Sequence, residues 1–110
     1  MTLPEIAEML ESTGLPVAYD HYAEGESPTP PFLVFLFPNS SNFSADNGVY
    51  VKIDELYIEL YTDIKDPASE LLVENALDAC GFFYNKDEMW IPEERLYEVL
   101  YMMEVIRNVQ

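Results

Sequence analysis

From Val49 to Thr62 the chain carries a period-two pattern that only a half-buried strand satisfies. Leu56, Ile58 and Leu60 point one way, and Tyr57, Glu59 and Tyr61 the other. A strand of this kind needs neighbours on its edges and an apolar layer against one face. The stretch reads as one long strand with a break near Asp54-Glu55, where two carboxylates stand side by side. A second segment, Phe32-Leu-Val-Phe-Leu-Phe37, is apolar on both faces. It reads as a central strand covered on each side, or on one side by a partner subunit. Composition supplies the material for such a core, with 49% apolar and 14% aromatic residues in 110. A chain this size exposes roughly 6,200 Å² folded and about 18,400 Å² unfolded, so about two-thirds of its surface is available for burial. That excludes a disordered tail and leaves one domain, residues 1–110.

Two helices accompany the strands. Thr2 and Glu5 have capping-box spacing, Pro4 suits a first turn, and Leu3, Ile6, Met9 and Leu10 recur at helical spacing up to Gly14. This gives a first helix at about residues 3–13. Asp66-Pro67 is an N-cap followed by proline, and Leu71, Leu72, Ala76 and Ala79 form an apolar stripe that Gly81 closes. The second helix is therefore expected at about residues 67–80. Leu15, Val17 and Tyr19 alternate as a short strand, placed at an edge by Pro16. Segments 21–31 and 38–48 read as mobile loops, the first carrying Pro28-Thr-Pro-Pro31. That fragment is either a polyproline ligand or, more simply, a stiff connection into the next strand.

Phe82-Phe-Tyr84 is strand-like, residues 85–88 read as a turn, and Met89-Trp-Ile91 as a returning strand. Residues 93–108 fit two periods. Tyr97, Val99, Tyr101, Met103 and Val105 suit a strand, whereas Leu96, Val99, Leu100, Met103 and Ile106 suit a helix; β-branched and aromatic enrichment favours the strand. The fold class that follows is α+β, a mainly antiparallel twisted sheet with both helices packed on it.

Candidate chemistry is thin. One cysteine, Cys80, forms no internal disulfide and reads as a small buried hydrophobe. One histidine, His21, stands in a polar segment with nothing to mark it as a base. A single His and a single Cys do not make a zinc site, the four glycines stand alone rather than in a phosphate loop, and no EF-hand ladder is present. No cofactor, metal or catalytic residue is therefore assigned, and no enzyme activity is expected. Met1-Thr-Leu-Pro-Glu5 is acidic with no long apolar run after it, unlike a signal peptide, and Phe32–Phe37 is too short to span a bilayer. A cytoplasmic setting is expected.

Tyrosines carry more information. Tyr57, Tyr61, Tyr97 and Tyr101 fall on expected strands beside polar groups, which suits either a plain exposed sheet face or a protein interface. These four are the candidate interface residues. Met102-Met103 adds adaptable apolar surface.

The ordered set of segments resembles a family of small phage and prophage proteins of Gram-positive bacteria. Ser12-Thr-Gly-Leu-Pro-Val-Ala-Tyr19 follows the first helix, and Pro30-Pro-Phe-Leu-Val-Phe35 follows the loop. Ala45-Asp-Asn-Gly-Val-Tyr50 then precedes Tyr57-Ile-Glu-Leu-Tyr-Thr-Asp63, and Lys65-Asp-Pro67 opens the second helix. The pattern is similar to the siphovirus tail terminator, also called a tail completion or head–tail joining protein. That resemblance implies a ring, commonly hexameric, at the head-proximal end of the tail. Its implied partners are further copies of itself, the major tail tube protein and a head–tail connector protein. Its implied location is the virion, after assembly in the host cytoplasm. The family brings no catalytic residues.

Charge separates the alternatives. Five Lys+Arg against 21 Asp+Glu give −16, the wrong sign for direct binding to nucleic acid or to an anionic membrane. An acidic DNA-mimic inhibitor is the competing class, and another head–tail connector layer is a third reading. In a ring on the DNA path, carboxylates lining the lumen would repel the duplex and keep it sliding. Asp46, Asp54, Glu55 and Glu59 are the candidate lumen-facing acids. The plainer alternative is that the charge keeps an aromatic-rich protein soluble before assembly.

Overall fold

The computed structural model describes residues 1–39, 43–45 and 48–107. Its spine is the period-two stretch: β4, Gly48–Thr62, pairs antiparallel with β6, Leu96–Arg107. Their register runs without interruption from Lys52↔Arg107 to Thr62↔Tyr97, which settles residues 96–107 as strand rather than helix. The expected break at Asp54-Glu55 is absent. Asp54 pairs with Val105 and Glu55 with Glu104 in an unbroken ladder. The Glu55 N–H donates to the Asn39 carbonyl at 2.8 Å, and the Asn39 amide donates to the Glu55 carboxylate at 3.0 Å. Two adjacent carboxylates do not interrupt a strand when the pleat sends them to opposite faces and the backbone is bonded on both sides.

On the other side of β4 lies β2, Phe32–Leu36, antiparallel, from Phe32↔Tyr61 to Leu36↔Tyr57. Beyond it β1, Val17–Tyr19, is parallel to β2 and forms the edge, as Pro16 requires. The strand order is β1–β2–β4–β6–β5, and β3, Phe43–Ala45, pairs with the start of β4 across a register shift. The segment 38–48, expected to be loop throughout, thus contains a strand; its Ser and Asn content masks a stretch too short to show alternation.

The other edge corrects a second expectation. β5, Tyr84–Ile91, is one strand antiparallel to β6, and no turn occurs at 85–88. Chain reversal comes later, at Pro92–Arg95, where Arg95 has φ 53°. The run Asn-Lys-Asp-Glu looks like a turn because it is polar. Its alternate members, Lys86 and Glu88, face the helices and are ion-paired there, while charges on an edge strand also discourage unwanted pairing.

Helix α1, Leu3–Glu11, has the expected capping box: the Thr2 N–H donates to Glu5 Oε1 at 2.8 Å, and the Glu5 N–H to Thr2 Oγ1 at 3.3 Å. Helix α2, Pro67–Ala79, is capped by Asp66, whose carboxylate accepts from the Ser69 N–H at 3.2 Å and the Ser69 hydroxyl at 2.7 Å. Its buried face differs from the expected stripe. Glu70, Val73 and Leu77 point inward, whereas Leu71 is 57% and Leu72 44% exposed. Spacing of three and four links Glu70, Val73 and Leu77 on one face, and two lysines neutralise the single carboxylate among them. Cys80 caps the helix C-terminus and is exposed, not buried, ahead of Gly81 in the left-handed region.

Both helices cover the same sheet face. Ile6 and Leu10 of α1 and Val73 and Leu77 of α2 meet Leu33, Phe35, Leu56, Ile58, Leu60, Val99 and Tyr101 in one core. Among the described residues no helix covers the opposite face. The molecule measures 50 × 29 × 22 Å, and its Cα radius of gyration is 14.9 Å. That exceeds the value of about 13 Å expected for a compact chain of this length.

Candidate functional site

The pleat assigns every candidate residue to a face. On β4 the even positions Asp54, Leu56, Ile58 and Leu60 go to the helix side, and the odd positions Glu55, Tyr57, Glu59 and Tyr61 to the open side. On β6 the odd positions Tyr97, Val99, Tyr101 and Met103 face the helices, opposite Thr62, Leu60, Ile58 and Leu56. The four candidate interface tyrosines therefore divide, two to each face.

Tyr101 is not an interface residue. It is fully buried, its ring meets Tyr84 edge-on at 5.5 Å, and its hydroxyl donates to Glu74 Oε2 at 2.9 Å. Burial first, then Glu74, pushes its phenol well above the usual range. Tyr97 is half-buried against the core and donates to Glu88 Oε1 at 2.7 Å, with the Lys65 ammonium 5.7 Å from its ring centroid. Both belong to a network that ties α2 to β5 and β6. Lys65 lies 2.8 Å from Glu70 and also contacts Glu88; Lys86 lies 2.7 Å from Glu70 and 2.9 Å from Glu74. Lys65, Glu70 and Lys86 carried no signal in the sequence, because they meet only when strands far apart in the chain come together.

Asp54 is 5% exposed on the helix side, so it does not face a channel in this fold. Asp46 lies outside the described residues. Glu55 and Glu59 do occupy the open face, but Glu59 is only half-exposed. Burial first, then the nearby Glu98 charge, raises its carboxyl above the ordinary value.

Tyr57 and Tyr61 sit in the first and third of three rows of the open face. One row runs Leu36, Tyr57, Met102, Asn85; the next Val34, Glu59, Leu100, Asp87; the third Phe32, Tyr61, Glu98, Met89. At one end, Phe83, 93% exposed, stands with Tyr57 and Met102 around an open hollow of about 490 Å³. At the other end, Tyr22 from the 21–31 connection folds over the sheet and meets Phe32 edge-on at 5.4 Å. Phe32 stacks on Tyr61 at 5.3 Å. These rings and Asp20, Glu59 and Glu94 line a cleft of about 440 Å³. This cover explains why Phe32 and Val34 are buried although they lie on the open side. Strand β2 is thus covered on both faces by its own chain.

Among the described residues no group of three or more His, Cys, Asp or Glu is placed to hold a metal ion, and no helix is long and apolar enough to cross a membrane. What the open face offers is aromatic, thioether and aliphatic surface studded with carboxylates, which suits association more than bond-making. No protein-family model matches this chain, and no curated protein matches it either.

Proposed function

We propose that this protein is a structural subunit of a siphophage tail, a tail terminator that forms a ring on the head-proximal end of the tail tube. In that role it stops tube growth and presents a surface to the head–tail connector. The reading starts from the resemblance of the ordered strings Ser12–Tyr19, Pro30–Phe35 and Tyr57–Asp63 to that family. The observation that carries it furthest is the sheet face left without a helix, where Leu36, Tyr57, Leu100 and Met102 adjoin one another. Antiparallel sheets commonly leave one face to solvent, but a subunit of a ring needs contact surface on flanks as well as ends, and this face supplies apolar side chains for it.

Polymerising tube protein supplies the test. Adding this protein should shorten the length distribution of tubes in electron micrographs, with its density confined to tube ends. Unchanged lengths, with binding retained at a connector, would replace the terminator by a connector layer. Binding to neither, together with inhibition of a DNA-binding enzyme, would favour the acidic mimic.

A further inference from the structure

We propose that the cleft at the Phe32–Tyr61 end of the open face receives an arginine side chain from a partner protein other than a second copy of this chain. This inference does not rest on the tail reading. Its first support is the wall: Tyr22, Phe32 and Tyr61 form a continuous aromatic surface, edge-on at 84° and then stacked at 29°. A cation over such rings is attracted by their quadrupoles, and a planar guanidinium also stacks on them.

The second support is charge. Glu59 lines the cleft; Glu98, diagonal to it across β4 and β6 and directly opposite Tyr61, stands outside the lining, and the Tyr61 hydroxyl interacts with both carboxylates. Among the described residues neither carboxylate is ion-paired to a cation. Lys65 and Lys86 are engaged with Glu70, Glu74 and Glu88 on the opposite side of the sheet. The basic ring that lines the cleft, His21, lies 2.8 Å from Asp20 instead. Two half-buried carboxylates repelling each other beside aromatic rings are in want of a cation, and a guanidinium fork spans two carboxylates where an ammonium offers only a point charge.

Third, Asp20 and Glu94 bring two further carboxylates to the lining of the same cleft. The cavity of about 440 Å³ has room for the group and part of its stem. Charge complementarity also names the source. A second copy brings a further −16 and has only five Lys+Arg, two of them already engaged within its own fold. A basic segment of a different protein meets no such repulsion.

Amide NMR of the full chain, titrated with the blocked tripeptide acetyl-Gly-Arg-Gly-amide, tests this directly. Saturable shifts are expected at residues 20–22, 32–34, 59–61 and 96–98. The citrulline tripeptide, neutral and nearly isosteric, should bind at least about tenfold more weakly, and the lysine tripeptide should fall between. Glu59→Gln with Glu98→Gln should remove the preference for arginine over citrulline while the thermal unfolding transition is retained. Equal binding of arginine and citrulline peptides overturns the proposal, and this comparison needs no variant. So do shifts spread evenly over the acidic surface, which would mark simple charge attraction. If the arginine-dependent shifts require Arg95 of a second copy, shown by their loss with self-association in Arg95→Ala, the heterologous source is overturned.

Discussion

Replacing Tyr101 by Phe removes one oxygen from the middle of the fold and leaves the ring in place. That oxygen donates to Glu74 Oε2 at 2.9 Å, from a side chain with no solvent exposure. A hydrogen bond to a charged partner contributes about 1.5–3 kcal/mol. Glu74 keeps Lys86 at 2.9 Å and is 25% exposed, so water recovers part of the loss. The expected cost is about 1–2 kcal/mol, which for a chain of this length lowers Tm by about 4–9 °C. Circular dichroism melts of the wild type, Tyr101→Phe, Glu74→Gln and the double variant form a complete cycle. The two single effects should not add, because Tyr101→Phe removes the bond that Glu74→Gln reduces to a neutral one, and a coupling of about 1 kcal/mol is expected. Acid titration provides an independent reading. Burial opposes the ionised form of Glu74, but the Lys86 and Tyr101 hydrogen bonds outweigh it and hold its carboxyl below the ordinary 4.5. A depressed carboxylate stabilises the fold above its unfolded pKa, and that contribution is lost as pH falls through the folded value. Wild-type stability should therefore fall more steeply below about pH 4.5 than that of Glu74→Gln. A Tyr101→Phe melt within about 1 °C of wild type, or additive single effects, would refute the reasoning that this hydroxyl helps anchor α2 to β6.

Other outcomes follow from the same geometry. Leu77→Ala should cost about 2–5 kcal/mol in denaturant unfolding, whereas Leu71→Ala, on the exposed side of α2, should stay within about 0.5 kcal/mol. Equal costs would mean the helix is rotated from the phase described here. Glu59→Gln should raise Tm near neutral pH, because burial and Glu98 lift the folded carboxyl above its unfolded 4.5 and its ionisation works against the fold. The variant should also lose the gain in stability that wild type shows as pH falls through the folded value towards 4.5, and melts across that range would reveal it.

Strand alternation was legible wherever one face was apolar. Leu56, Ile58 and Leu60 announced the core side of β4, and Val99, Tyr101, Met103 and Val105 that of β6, because period two survives any choice of neighbour. Helix α1 was equally plain, since its cap and its stripe are local. The failures share a cause, which is that a polar residue has no fixed meaning until its partners arrive. Lys86 and Glu88 spelled a turn in sequence and became an edge strand once Glu70, Glu74 and Lys65 lay opposite them. Glu70 turns inward for the same reason, so the phase of α2 departs from the expected Leu71 and Leu72 stripe and leaves those two leucines exposed. Tyr101 was read as half-wet because its hydroxyl's acceptor sits on a helix 27 residues away in the chain.

Alternation also sharpens what the open face can be. Tyr57 and Tyr61 were candidates for an interface, and Glu55 and Glu59 for a channel lining, yet all four are odd positions of β4 and share one face. A surface covered by a partner does not line a water-filled channel, so the two assignments exclude each other. The surroundings of Glu59 favour the first. It is half-buried, its carboxyl is raised by that burial and by Glu98, and its neighbours are Val34, Leu100 and the Tyr61 ring. A carboxylate meant to repel passing DNA works best fully hydrated and ionised, whereas one set among aromatic rings is placed to select a cation. Acids free to face a channel lie instead on the helix layer, where Glu8 and Glu11 of α1 are exposed. If the subunit assembles as proposed, the open sheet face serves contacts between proteins, and any electrostatic effect on DNA would come from the opposite side of the subunit.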